Sequence, residues 1–188
     1  PTLTTTVLFN ATTYDQYGRL TAYVENKLEL GAVLNVNTTT TRTAIPYNSF
    51  GQQSGYTEDV TRDGQADTHT VRSVNTYTNH GFIKTYNDVI TDNSTDFTRT
   101  IDITADFPNG YDSFGRLKHY REQKNEQAPG LDVDTTTERT NITYRSTGQM
   151  KDYDEVVARD GNSSVTTQRR SIVYDSDGLI DTYTDTIT

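Results

Sequence analysis

The stretch Tyr174-Asp175-Ser176-Asp177-Gly178-Leu179-Ile180-Asp181-Thr182-Tyr183-Thr184-Asp185 sets the fold of this chain. Its first five residues match a type I turn closed by a left-handed residue. Asp early in such a turn can bond its own backbone, and only Gly takes positive φ without cost. A bulge after the turn twists the ribbon and fixes its register. The stretch therefore reads as a β-hairpin, written Tyr-x-x-x-Gly-x-φ-x-x-Tyr-x-acid with φ usually apolar.

The pattern recurs six times, beginning at Tyr14, Tyr47, Tyr77, Tyr111, Tyr144 and Tyr174. The glycines are Gly18, Gly51, Gly81, Gly115, Gly148 and Gly178, and positive φ is expected at all of them. Position φ holds Leu20, Gln53, Ile83, Leu117, Met150 and Ile180. The second tyrosines are Tyr23, Tyr56, Tyr86, Tyr120, Tyr153 and Tyr183, and the acids Glu25, Glu58, Asp88, Glu122, Glu155 and Asp185. Twelve of the 13 tyrosines thus belong to the pattern, so it organises the fold.

A coarser repeat encloses the finer one. Residues 14–91 lie on 111–188 without a gap and match at 37 of 78 positions, which only a duplication produces. The chain is thus one all-β domain of two copies set 97 residues apart, approximately 1–91 and 92–188, with three hairpins each. Strands are expected near 4–13, 19–26, 36–46, 52–60, 67–77, 82–91, 97–107, 116–122, 133–144, 149–158, 164–174 and 179–187. Their far ends join through short turns at Arg62-Asp63-Gly64, Asp92-Asn93-Ser94 and Arg159-Asp160-Gly161, and through two long ones near Asn26–Asn35 and Gln123–Asp132.

Composition fits a thin sheet wet on at least one side. Apolar residues reach only 31%, with nine Leu, one Met and no Trp, while Thr alone supplies 36 of 188 residues. Thr and Tyr suit a half-solvated pleated surface. With so little aliphatic volume, the motif tyrosines are expected to be the main buried apolar area and mostly buried. If the turns end in regular bulges, both tyrosines and the acid of each hairpin share one face, forming aromatic ladders. Position φ then falls on the other face, with Arg42, Arg72, Arg139 and Arg169, each five residues before a first Tyr. The acids read as exposed ladder charges.

A net charge of −9 argues against a nucleic-acid partner and against an anionic membrane surface. The absence of Cys removes disulfides, thiol catalysis and Cys-ligated zinc. No apolar run approaches the roughly 20 residues of a membrane helix. The chain begins at Pro1 and reads as a piece of something longer.

Tyr-Asp-x-x-Gly-Arg-Leu, whole at Tyr14–Leu20 and Tyr111–Leu117, resembles the YD repeat of bacterial RHS and insecticidal-toxin shell proteins and of animal teneurins. In that family such repeats form long antiparallel ribbons that wind into hollow shells. The resemblance implies a hairpin ribbon of bacterial surface ancestry and contributes no catalytic residue. Family repeats are shorter than the 30–34 residues seen here.

Candidate chemistry is sparse, and no catalytic, cofactor or metal residue is assigned. His69, His80 and His119 lie in different hairpins and read as isolated surface histidines, since a metal site needs convergent ligands. Asp175–Asp181 has the alternating oxygens of a calcium loop, but the equivalent turns carry Gln16-Tyr17-Gly18 and Ser113-Phe114-Gly115, so an Asx turn is favoured. The periodic acids are more economically structural than catalytic. The sequons at Asn10, Asn37, Asn93, Asn141 and Asn162 follow from abundant Thr. Ice binding would need the Thr arrays 4–6 and 38–41 in flat rows, which twisted strands do not naturally provide.

Two architectures satisfy the pattern: a closed twelve-strand up-and-down barrel, preferred for its lack of edges, or an open coiled ribbon. The expected function is a non-catalytic structural or interaction repeat of a large bacterial surface or secreted protein, partnered by neighbouring repeats or by itself. The alternative is a barrel binding a small molecule or glycan in a Tyr-lined cavity.

Overall fold

The computed structural model describes residues 3–92, 95–105, 110–160 and 162–188. It contains twelve named strands: β1 Thr4–Tyr14, β2 Leu20–Leu30, β3 Asn35–Thr43, β4 Tyr56–Arg62, β5 Thr68–Tyr77, β6 Ile83–Asp92, β7 Phe97–Thr104, β8 Tyr120–Ala128, β9 Leu131–Tyr144, β10 Met150–Arg159, β11 Val165–Tyr174 and β12 Ile180–Ile187. They form one antiparallel sheet in strict chain order, β1 to β12. The sheet does not close. β1 and β12 are free edges, so the open ribbon replaces the expected barrel.

The turns form as the sequence dictates. In the first hairpin the Gly18 N–H donates to the Asp15 carbonyl (3.0 Å) and the Asp15 N–H to the Arg19 carbonyl (2.9 Å). The same pair of bonds recurs at Asn48, Thr78, Asp112, Arg145 and Asp175. All six motif glycines have positive φ, between 77° and 88°. The side chain after the first Tyr finishes the turn. Asp15 Oδ1 accepts the N–H groups of Tyr17 (2.8 Å) and Arg19 (2.9 Å), and Asp112 and Asp175 do likewise.

The two long turns are in fact short. β2 runs on to Leu30 and pairs with β3 down to Leu30↔Asn35, leaving only residues 31–34 as the turn. β8 runs to Ala128 and β9 starts at Leu131. Polar residues such as Asn26 and Asn125 mark loops in a sequence but sit in these strands because their side chains bond across the ladder. Thr39 Oγ1 donates to Asn26 Oδ1 (2.9 Å), and Asn125 Nδ2 donates to Asp132 Oδ1 (2.9 Å). The short turn expected at Asp92-Asn93-Ser94 lies partly outside the described residues, as do Gly161 and the end of the strand expected at 97–107.

The described chain divides into two compact units, Pro1–Thr76 with Tyr86–Thr100 and Glu126–Leu131, and Tyr77–Thr85 with Ile101–Asn125 and Asp132–Thr188. In the second, Ile142 and Ile172, each 1% exposed, form a core with Tyr153. Tyr120, Tyr144, Met150 and Tyr174 pack against it. This cluster overturns one expected division of faces. Position φ (Met150) shares a face with both tyrosines, because the register shifts between Met150, Asp152 and Asp154 absorb the odd residue that would separate them.

Positive φ at Ala44 (48°), Asn141 (53°) and Ser171 (57°) marks the same place in three hairpins, three residues before the first Tyr. The next residue in each, Ile45, Ile142 or Ile172, is buried. The equivalent residue in the third hairpin is Asn75, whose Oδ1 is enclosed without a partner. Burial of the tyrosines falls short of expectation. Of the twelve motif tyrosines only Tyr153 is buried, Tyr14 and Tyr183 on the edge strands are exposed, and the others are half-buried. A single-layer sheet shields each ring on one side and leaves the other to its neighbours or to water.

Candidate functional site

The most organised side chains of the ribbon are four arginines. Arg42, Arg72, Arg139 and Arg169 were expected opposite the tyrosine face; they lie on it. The register places Tyr23 across from Arg42, Tyr56 across from Arg72 and Tyr153 across from Arg169. Residues directly opposite in an antiparallel pair point the same way.

Each guanidinium is sandwiched. In the first compact unit Arg42 lies 4.0 Å from the Tyr56 ring centroid and 5.5 Å from Tyr23, while Arg72 lies 3.9 Å from Tyr86 and 5.2 Å from Tyr56. Phe9 caps this stack, its ring 4.9 Å from Tyr23, at the place where other hairpins carry Arg. The second unit repeats the arrangement. Arg139 sits 4.2 Å from Tyr153 and 5.6 Å from Tyr120, and Arg169 sits 3.7 Å from Tyr183 and 5.6 Å from Tyr153. The ladder is thus cation and ring in alternation, not ring on ring.

Every one of these arginines is also held by a motif acid. Arg72 Nε donates to Asp88 Oδ1 (2.7 Å) and its terminal nitrogen to Oδ2 (2.5 Å). Arg169 makes the same fork with Asp185 (2.8 and 2.7 Å), and Arg42 and Arg139 bond Glu58 and Glu155. The bonds to Asp88 and Asp185 hold Arg72 and Arg169 above the usual arginine range. The bond from Arg169 holds the Asp185 carboxyl below the usual carboxylate range. The expectation of exposed ladder charges fails for these acids: Asp88 is 7% exposed. A constant spacing of 16 residues separates arginine from acid in all four pairs, a signal present in the sequence.

A second tier lies at the turns. Arg19 bonds Asp15 (2.7 Å) and stacks between Tyr17 (4.9 Å) and Tyr47 (4.5 Å). With Asn48, Ser49 and the exposed Phe50 these rings line a cleft of about 690 Å³. Its counterpart 97 residues on, about 450 Å³, is lined by Phe114, Arg116, Tyr144, Arg145, Ser146 and Thr147. Arg116 is bonded to Asp112 (2.7 Å) and stacked on Phe114 and Tyr144. Asn48 spends its oxygen on the N–H groups of Phe50 and Gln52, and Arg145 donates to the Ile172 carbonyl. Aromatic rims are therefore open to ligand, but the strongest polar groups below them are engaged by the fold.

The remaining candidates stay apart. His69 Nδ1 is 2.6 Å from Asp59 and His119 Nε2 is 2.7 Å from Glu138, while His80 stacks near Phe82. Among the described residues no three His, Cys, Asp or Glu side chains are grouped to hold a metal ion. Asp175 Oδ1 is occupied by two backbone N–H groups, as an Asx turn requires. Thr38–Thr41 alternate between the two faces of β3, with Thr39 opposite Asn26 and Thr40 opposite Glu25. Asn93 lies outside the described residues. Among the described residues no helix is long and apolar enough to cross a membrane.

No family model, curated protein or solved structure matches the chain.

Proposed function

We propose that this chain is a non-catalytic structural and interaction module, a repeat of a large bacterial surface or secreted protein whose product is the ribbon itself. The observation that carries this reading is the tyrosine–arginine–acid ladder, built alike in both copies with its charges turned on one another. A site for chemistry needs groups left free to meet a substrate, and one distinctive constellation in preference to a periodic one. Repetition at this level suits length and display. Neighbouring repeats or further copies are its natural partners; the net charge of −9 disfavours nucleic acid, and no membrane insertion is expected.

The twin turn clefts favour a second reading, in which Tyr17, Phe50 and Phe114 stack on a glycan or another small ring. Titrating the isotope-labelled chain with a panel of mono- and oligosaccharides decides between them. The structural reading expects no saturable shift at Tyr17, Phe50 or Phe114. Saturable binding lost in Tyr17→Ala and Phe114→Ala, with folding intact, replaces it by the second.

A further inference from the structure

The aromatic tips of the first two hairpins are not demanded by their turns. The residue before the motif glycine is Tyr17 in the first hairpin and Phe50 in the second, but His80, Thr147 and Asp177 stand there in three others. The turn forms with any of them, so nothing in the backbone calls for a ring. Tyr17 is also the one tyrosine outside the repeating pattern. Both rings are turned to water, Tyr17 73% and Phe50 86% exposed, and both line the cleft of about 690 Å³ over Arg19.

Below these rims the polar groups divide by kind. The carboxylate and amide acceptors are used up. Asp15 Oδ1 takes the N–H groups of Tyr17 and Arg19, and its Oδ2 takes Arg19 Nε (2.7 Å). Asn48 Oδ1 takes the N–H groups of Phe50 and Gln52, and Gln52 Oε1 takes Asn48 Nδ2 (2.8 Å). Donors remain. The terminal nitrogens of Arg19 and the hydroxyls of Ser49 and Tyr17 donate to no group among the described residues. The counterpart cleft 97 residues on lacks this surplus: Arg116 Nη1 donates to the Arg145 carbonyl (3.4 Å), and Thr147 stands where the first cleft has Phe50.

Resting on the structural and interaction reading above, we propose that the Tyr17–Phe50 cleft docks a proline-rich segment of a partner protein in the polyproline II conformation. Spacing and electrostatic complementarity both select this occupant. The first two turns join β1 to β2 and β3 to β4, so their tips stand two strand spacings apart, about 9.6 Å. A polyproline II helix repeats every three residues, about 9.3 Å. Prolines at i and i+3 therefore reach Tyr17 and Phe50 together, the aromatic-rim mode by which such segments are held. Each proline offers a carbonyl and no N–H, and its carbonyl makes no bond within the helix. The segment thus brings only acceptors to a floor whose spare groups are a guanidinium and two hydroxyls. A glycan, rich in hydroxyl donors, would find the carboxylate and amide oxygens already taken.

The probe is end-capped decaproline, titrated into the isotope-labelled full chain beside an end-capped Gly-Ser decapeptide. Saturable shifts are expected at Tyr17, Ser49 and Phe50 with decaproline alone. Tyr17→Ala and Phe50→Ala should each weaken binding about tenfold or more with unchanged circular dichroism, while Phe50→Tyr keeps it within about threefold. Phe114→Ala, in the cleft without spare donors, should leave it within about twofold. No saturation by about 5 mM decaproline overturns the inference. So does equal binding of the Gly-Ser peptide, or an equal loss in Phe114→Ala, since either marks a surface that holds any peptide. With the saccharide panel silent, these failures leave the structural reading standing. Saturable saccharide binding lost in Tyr17→Ala overturns both, because the cleft then belongs to a glycan.

Discussion

Removing Arg72 should unfold the ribbon far more readily than its half-exposed position suggests. Its guanidinium lies between the rings of Tyr56 and Tyr86 and forks onto Asp88, which is 7% exposed. Arg72→Ala leaves that carboxylate enclosed without its cation, a loss of about 3–5 kcal/mol when a buried pair is broken. Two cation–ring contacts at a partly wet site add about 1 kcal/mol. Because the guanidinium keeps some contact with water, the lower end applies and the expected cost is about 4 kcal/mol, a large share of a total of about 5–15 kcal/mol. The assay is urea unfolding followed by circular dichroism, with Arg72→Met/Asp88→Leu beside the single variant. The double variant should regain at least half of the loss, since apolar replacement of both partners removes the stranded charge. A cost below about 1 kcal/mol for Arg72→Ala would place the pair with ordinary surface ion pairs and refute the reasoning. So would a double variant no more stable than the single one.

Gly18→Ala and Gly115→Ala should differ although both glycines have φ near +77°: a Cβ at Gly18 meets open space, while one at Gly115 strikes the Phe82 ring, which is stacked on Tyr111. Urea unfolding should give about 1 kcal/mol for the first and about 3 kcal/mol for the second. Ala44→Gly should stabilise by about 0.5–1 kcal/mol, because Ala44 sits at φ 48° where an L side chain is strained; a lower melting temperature would contradict this. Stability should fall at both extremes of pH. Carboxyls held low by their partners, such as Asp154 through Asn141 and Asp185 through Arg169, contribute stability that is present above the usual carboxylate range and lost as pH falls through their folded values. Tyr56 and Tyr120, raised by burial, contribute stability that is present below about pH 10 and lost as pH rises through their folded values. Melting temperature measured from pH 2 to 12 should therefore form a broad plateau with two falling edges, and a flat profile to pH 2 would contradict the acid limb.

The sequence by itself determined the hairpins. Six turns of one type, their glycines at positive φ and the Asx bonds of four of them depend on about five consecutive residues, and such local chemistry is legible wherever the residues stand together. Strand number and order followed from the same spacing. The tertiary structure alone decided how side chains divide between the faces. That division turns on parity, and a single left-handed residue at Ala44, Asn141 or Ser171 reverses it. Of the three only Asn has an intrinsic taste for that conformation, so nothing local announces the bulge. Hence the arginines, read as opposite the tyrosines, lie between them, although their constant distance of 16 residues from the acids was there to be read. Closure was beyond the sequence for a related reason. Whether β12 meets β1 depends on twist summed over eleven neighbouring pairs of strands, and no short stretch encodes such a sum. The chain leaves its two edges open, and the exposed Tyr14 and Ile180 mark where they end.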